Sequence, residues 1–211
     1  FQSRSPVGTA DLKIALHGRF NAFNVTAAVV AVTGLGFPFT EVANAASHLL
    51  PVDGRMQEVK GGSDIRVVVD YAHTPDALAS ALRALKQSCT GARWVICGCG
   101  GDRDAGKRPE MGRIADSLAD QLVVTNDNPR SESPEMIAED ILVGITGSPC
   151  HVELDRGAAI RHAVLNARSG DTVLVAGKGH EHYQLVGKHK IDFSDVSCAA
   201  EVLREREKAH A

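Results

Sequence analysis

The apolar positions of this 211-residue chain fall into two rhythms. From residue 64 onward, short dense apolar runs recur: IRVVVDY (65–71), RWVIC (93–97), QLVVT (121–125) and DTVLVA (171–176), with a weaker HVEL at 151–154. Such runs, rich in β-branched residues, predict buried strands. Between them the apolar residues take helical spacing. Thr74 before Pro75 supplies an N-cap and a first-turn proline, and Leu78, Leu82 and Leu85 form one stripe. Further helices are expected over 108–119, 134–143, 156–167 and 196–207, with a possible edge strand at 190–193. Strands alternating with helices, the strands apolar on both faces, predict an α/β fold with a mostly parallel sheet covered on both sides.

Residues 1–50 read differently. Leu12, Ile14 and Leu16 alternate with Lys13 and Ala15, which predicts a short strand within 1–16. NVTAAVVAVTGL at 24–35 predicts a helix stopped by Gly36 and Pro38, and a second helix is expected over 39–50, ending before Pro51. One strand and two helices cannot close a layered core. The expectation is therefore the end of a domain whose earlier part lies upstream, occupying 1–52, followed by a second domain over 53–211. The lack of an initiating methionine points the same way, towards excision from a longer protein.

Charge and composition narrow the function classes. The chain has 23 Lys+Arg against 26 Asp+Glu, a net charge of −3, which argues against a general nucleic-acid binder. The longest apolar stretch, 25–39, is broken by glycines and a proline and is too short to span a bilayer. No secretory signal pattern opens the chain, so a cytoplasmic protein without a membrane partner is expected. The five cysteines form no CxxC pair and read as free thiols of a reducing compartment.

In open parallel sheets, ligands bind beyond the C-terminal ends of the strands. Four motifs occupy that edge: DYAHTP (70–75), GCGGDRD (98–104), TNDNPR (125–130) and GKGHE (177–181). Together they predict a cleft for a small polar or anionic ligand. Residues 101–107 match a phosphate loop until Arg108 stands where the magnesium-binding Ser/Thr should be, so no triphosphate cradle is expected there. Arg103, Lys107 and Arg108 still place positive charge beside the cleft, although Lys107 and Arg108 also fit a solvated helix start. Arg103 offers a carboxylate a planar fork. Gly177 and Gly179 permit close backbone approach, and Glu181 can take an ammonium group. Asp127, Asn128 and Arg130 together suit an amino-acid zwitterion. His73 fits a base, a nucleotide contact or a cap. His180, Glu181 and His182 lack HExxH spacing, no GxSxG elbow exists, and DYAHTP lacks the GxGxxG of a dehydrogenase.

GRFNAFN (18–24), GRM (54–56), VVVDYAHTPDAL (67–78), CGCGGDRDAGKRPEMG (97–112), TNDNPRSE (125–132) and VLVAGKGHEHYQ (173–184) give the chain a specific likeness. In these stretches it resembles the Mur ligase family, in the branch that adds the third residue of the peptidoglycan stem peptide. The resemblance implies a Rossmann-like C-terminal Mur ligase domain preceded by a remnant of the central ATPase domain. The N-terminal and most of the central domain would lie upstream. It implies a reaction in which ATP phosphorylates the D-glutamate carboxylate of UDP-N-acetylmuramoyl-L-alanyl-D-glutamate, and the amine of meso-diaminopimelate attacks the acyl phosphate. By resemblance, Asn21 and Asn24 lie by the adenine, Arg55 reaches a phosphate, Asp70 binds the ribose and His73 borders that site. Arg103, Asp127, Asn128, Arg130, Gly177 and Glu181 would hold meso-diaminopimelate, because DNPR is the form found in enzymes adding that amino acid. The catalytic residues and the Mg2+ ligands are expected upstream, with none in this chain. The competing readings are a sister ligase adding L-lysine or another amine, and a non-catalytic module binding an amino acid or nucleotide.

Overall fold

The computed structural model describes residues 2–5, 8–16, 18–61, 64–147 and 149–210. They fall into two compact units, Phe1–Val52 and Asp53–Ala211. In the first, β1 (Gln2–Ser5) pairs antiparallel with β2 (Gly8–Asp11), followed by α1 (Arg19–Gly34) and α2 (Phe39–Ala46). The strand expected from the Leu12–Ile14–Leu16 alternation is displaced, since the ladder ends at Asp11. The alternation still sorts the side chains: Leu12 is buried and Ile14 and Leu16 are half-buried against Val25, Val29, Ala43 and Ala46, while Lys13 and Ala15 are exposed. The first helix starts at Arg19, after Gly18 at φ 90°, rather than at Asn24. The second stops short of Leu50, where the Ser47 hydroxyl donates to the Asn44 carbonyl at 2.6 Å and competes with the helical bond.

The second unit runs β3 (Gln57–Glu58), β4 (Arg66–Asp70), α3 (Pro75–Lys86), β5 (Arg93–Cys97), α4 (Lys107–Leu118), β6 (Gln121–Val124), α5 (Pro134–Leu142) and β7 (Cys150–Val152). It continues with α6 (Arg156–Asn166), β8 (Thr172–Ala176), β9 (Tyr183–Val186), β10 (His189–Asp192) and α7 (Asp195–His210). Six strands form one sheet in the order β3-β4-β8-β5-β6-β7, all parallel except the antiparallel edge β3. The strand predicted at 190–193 is present but pairs with β9 in a separate hairpin, so it is no edge of the main sheet. At the N-terminus of α3 the Thr74 hydroxyl accepts from the Ala77 N–H at 3.3 Å, and Leu78, Leu82 and Leu85 are buried as their spacing requires.

The connections explain where a ligand fits. From β4 the chain steps through α3, α4 and α5 to β5, β6 and β7, always in one direction. It then returns through α6 to insert β8 between β4 and β5. Right-handed crossovers place the outgoing helices on one face and the return helix on the other. Accordingly Val67, Val69, Ile96, Val123, Val173 and Val175 pack with Ala159, Ile160 and Ala163 of α6 and Ala199 and Leu203 of α7. The alternate residues Val68, Val95, Leu122 and Leu174 are equally buried, facing the side of α3, α4 and α5. The chain leaves β8 on one face while β4 and β5 feed the other, which opens a crevice at the C-terminal end of β8. Among the described residues, no helix is long and apolar enough to cross a membrane.

Candidate functional site

A cleft of about 530 Å³ fills that crevice. All six residues expected to hold the amino acid line it: Arg103 after β5, Asp127, Asn128 and Arg130 after β6, and Gly177 and Glu181 after β8. His73 and Lys107 border it as well. The loop after β6 is clasped by β9. Gln184 Nε2 donates to the Asp127 carbonyl at 2.9 Å, the Arg130 N–H donates to the Leu185 carbonyl at 3.0 Å, and the Gly187 N–H donates to the Arg130 carbonyl at 2.7 Å. These bonds hold Arg130 at φ 53°, a conformation a non-glycine residue keeps only when its surroundings dictate it. Its Nη1 donates to the Gly101 carbonyl at 2.8 Å. Among the described residues, Nε and Nη2 make no hydrogen bond within the protein, which leaves a fork for a carboxylate.

Opposite charge gathers around Asp127. This carboxyl is 8% exposed and its pKa is raised, first by burial and also by Glu181 and Asp195, against the lowering pull of Arg156 and Lys178. Gly177, at φ 119°, leaves it room, since a Cβ there would lie 2.5 Å from Asp127 Oδ2. Glu181 Oε2 accepts from Asn128 Nδ2 at 3.0 Å and from Lys178 Nζ at 3.2 Å. The cleft thus sets a guanidinium and an amide at one position and two carboxylates at another. That pattern matches a ligand bearing a carboxylate beside an ammonium.

Burying Asp127 works against the fold. With its pKa higher in the folded chain than in the unfolded one, the native state holds more protons in the window from about 3.9 upward, so this group's contribution falls as pH rises through it. Asp127→Asn is therefore expected to raise the thermal midpoint near pH 7 by about 1–8 °C. The gain should vanish in acid. An equal or lower midpoint at pH 7 would contradict this.

Of the residues expected around a nucleotide, His73 lines this cleft and the others do not. Asp70 ends β4, buried, with Oδ2 accepting the Met56 N–H at 2.7 Å. Burial raises its pKa, opposed by that bond, by Arg55 and by the Ala72 N–H. The Arg55 guanidinium lies 4.7 Å above the Tyr71 ring, and His73 Nδ1 donates to the Tyr71 carbonyl at 2.8 Å. Asn21 and Asn24 belong to α1 of the first unit. Among the described residues, no cluster of three or more His, Cys, Asp or Glu is placed to hold a metal ion, so no step through Mg2+ is assigned to these side chains.

One cationic position differs from its sequence reading, and the other, Lys107, lines the cleft as expected. Arg108 is buried and bonds Glu132 at 2.8 Å and Asp140 at 2.9 Å, which removes it both from a solvated helix start and from the charge facing the cleft. Lys107 Nζ donates to the His73 carbonyl at 2.8 Å, tying α4 to the loop after β4. Two more residues carried no role in the sequence. Arg156, fully buried, bonds Asp195 at 2.7 Å and the carbonyls of Asn126 at 3.1 Å and Ala176 at 2.9 Å, so it ties the ends of β6 and β8 together. Lys178, also fully buried, stands behind Asn128 and Glu181. Its position between Gly177 and Gly179 in a cleft loop was the one available signal.

The sequence profile of the Mur ligase glutamate ligase domain matches residues 54–179. The UDP-N-acetylmuramoyl-L-alanyl-D-glutamate–2,6-diaminopimelate ligase of Vibrio vulnificus is 48% identical over 197 residues, which is 93% of this chain and 40% of that protein. The ligase of the same name from Gloeobacter violaceus is 50% identical over 204 residues, 96% of this chain and 42% of that protein. A solved structure of a ligase so named superposes with a TM-score of 0.73 at 38% identity, covering 96% of this chain and 42% of the other. The chain thus spans about two fifths of the length of the curated relatives it matches.

Proposed function

From the premise that this chain belongs to the Mur ligase family, we propose that it is the amino-acid-binding part of an ATP-dependent ligase. That ligase adds meso-diaminopimelate to UDP-N-acetylmuramoyl-L-alanyl-D-glutamate in the cytoplasm. The observation that carries the reading is the pairing, in one cleft, of the unfilled Arg130 fork with the Asp127–Glu181 carboxylates. Meso-diaminopimelate has a distal carboxylate next to a distal ammonium. Arg130, Asn128 and Arg103 take the carboxylate, while Asp127, Glu181 and the Gly177 carbonyl take the ammonium. L-Lysine has only the ammonium and leaves the fork unpaired. The ligand's other amino group is then the nucleophile for the activated glutamyl carboxylate.

ATP activates that carboxylate as an acyl phosphate, and amine attack expels phosphate. The work of these residues is to hold the amine donor in a fixed pose, which converts the attack into an effectively intramolecular step. On this reading residues 1–52 are the end of the central ATP-binding domain. The open apolar side chains Phe23, Leu35 and Phe37 are what the rest of that domain would cover. Asn21 and Asn24 in the first unit, and Arg55, Asp70 and His73 in the second, are each assigned as nucleotide contacts, with Mg2+ held by upstream residues.

The test is product formation from the UDP-linked dipeptide, ATP and meso-diaminopimelate. The 211-residue chain alone yields no amide, and the same sequence joined to N-terminal and central Mur ligase domains does. Turnover by the purified short chain, free of full-length enzyme, would overturn the assignment of activation chemistry to upstream domains. A joined enzyme that ignores diaminopimelate would overturn the substrate.

A further inference from the structure

Lys178 stands behind the wall of the cleft, where solvent does not reach it, with 0% exposure. Its Nζ donates to Asn128 Oδ1 at 3.1 Å and to Glu181 Oε2 at 3.2 Å. Asn128 Oδ1 also accepts the Leu185 N–H at 2.9 Å. A carbonyl oxygen offers two lone pairs, so Lys178 and Leu185 use both and the amide is fixed with its NH2 group towards Glu181 and the cleft. Glu181 Oε2 is likewise occupied twice, by Asn128 and Lys178, which leaves Oε1 for a ligand.

The charge count agrees. Apart from Arg103, Asp104, Lys107 and Arg130 in the rest of the lining, the ammonium position takes two negative charges from Asp127 and Glu181 and one positive charge from Lys178. Arg156 and Asp195 behind them form a closed pair with both side chains at 0% exposure. One net negative charge is left, matching one ammonium group. Removing Lys178 would leave the buried Asp127 and the half-buried Glu181 with Arg156 as the remaining nearby cation, so their mutual repulsion is less compensated. It would also leave the Leu185 N–H as the one remaining donor to the Asn128 oxygen, so the amide is held less firmly with its NH2 group towards the cleft.

We propose that Lys178 is a positioning residue that sets the selectivity of the amino-acid cleft, by fixing the Asn128 amide as a donor and by balancing the Asp127–Glu181 pair to one net negative charge. This rests on the reading of the cleft as a meso-diaminopimelate site. The effect on the substrates is unequal. A loosened Asn128 pairs less well with a distal carboxylate, which meso-diaminopimelate has and L-lysine lacks.

The experiment uses the ligase assembled with its upstream domains and compares wild type with Lys178→Met, Lys178→Gln and Arg130→Ala. For Lys178→Met, kcat/KM for meso-diaminopimelate falls at least about 30-fold, mainly through KM. KM for ATP stays within about twofold, and the preference over L-lysine shrinks. The acid limb of the kcat/KM profile moves to higher pH, because Asp127 loses a neighbour that lowers its pKa. Its other charged and titratable neighbours, Arg156, Glu181, Asp195, Tyr71 and Cys99, are unchanged. Lys178→Gln keeps a donor to Asn128 without the charge, so it recovers part of KM and shows the same shift of the acid limb. It also serves as the readout if Lys178→Met does not fold. An unchanged KM for diaminopimelate together with an unmoved acid limb in Lys178→Gln overturns the proposal. If Arg130→Ala is damaged in that same comparison, the cleft assignment stands and only the role of Lys178 is lost. If Arg130→Ala is also unchanged, both fall.

Discussion

Replacing Arg130 with alanine in the complete ligase lowers kcat/KM for meso-diaminopimelate by roughly 30- to 5,000-fold, corresponding to about 2–5 kcal/mol for a desolvated charge pair broken on one side. The reason lies in how the residue is held. Two contacts from β9, one from Gly187 just after it, and the bond from Nη1 to the Gly101 carbonyl fix the guanidinium while leaving Nε and Nη2 for a carboxylate. Arg130→Lys recovers only part of the loss, since an ammonium keeps the charge but not the planar fork. Use of ATP is little changed, because Asp70 and Arg55 do not line this cleft. Steady-state kinetics with each substrate varied in turn checks this. An unchanged KM and kcat for diaminopimelate would reduce Arg130 to a turn residue.

Arg156→Met has its effect on stability. Both partners of the Arg156–Asp195 pair are fully buried, and the same guanidinium bonds two strand-end carbonyls. Breaking a buried pair from one side strands the other charge and costs about 3–5 kcal/mol. For a protein of this size that lowers the thermal midpoint by roughly 6–20 °C. Replacing both partners, Arg156→Met with Asp195→Leu, returns much of the stability because no charge is left unpaired. Thermal unfolding of the three proteins distinguishes a buried brace from a surface contact. A single variant within a degree of wild type would contradict the brace.

The strands were legible because a buried parallel strand must be apolar on both faces, as RWVIC and TVLVA are. The edge strand β3 was not. It is two residues long, Gln57 and Glu58, and has no apolar pattern to read. The β9–β10 pairing was missed for a related reason, since Tyr183–Val186 and His189–Asp192 are at best half-buried and carry little signal. The convergence of Arg103, Asp127, Asn128, Arg130, Gly177 and Glu181 could be foreseen because each follows the C-terminal end of a strand. The braces could not. Arg108 finds Glu132 24 residues away and Arg156 finds Asp195 39 residues away, and a long cationic side chain near a helix start looks solvated until its distant carboxylate is placed. Lys178 was hidden in the same way, its partner Asn128 lying 50 residues earlier.

The central claim is that this cleft selects an amino acid with a carboxylate beside its distal ammonium. The most direct measurement is the ratio of kcat/KM for meso-diaminopimelate to that for L-lysine in the ligase assembled with its upstream domains. Leaving the Arg130 fork unpaired against lysine predicts a ratio of at least about 30 in favour of diaminopimelate. A ratio near one, or a preference for lysine, would contradict the account.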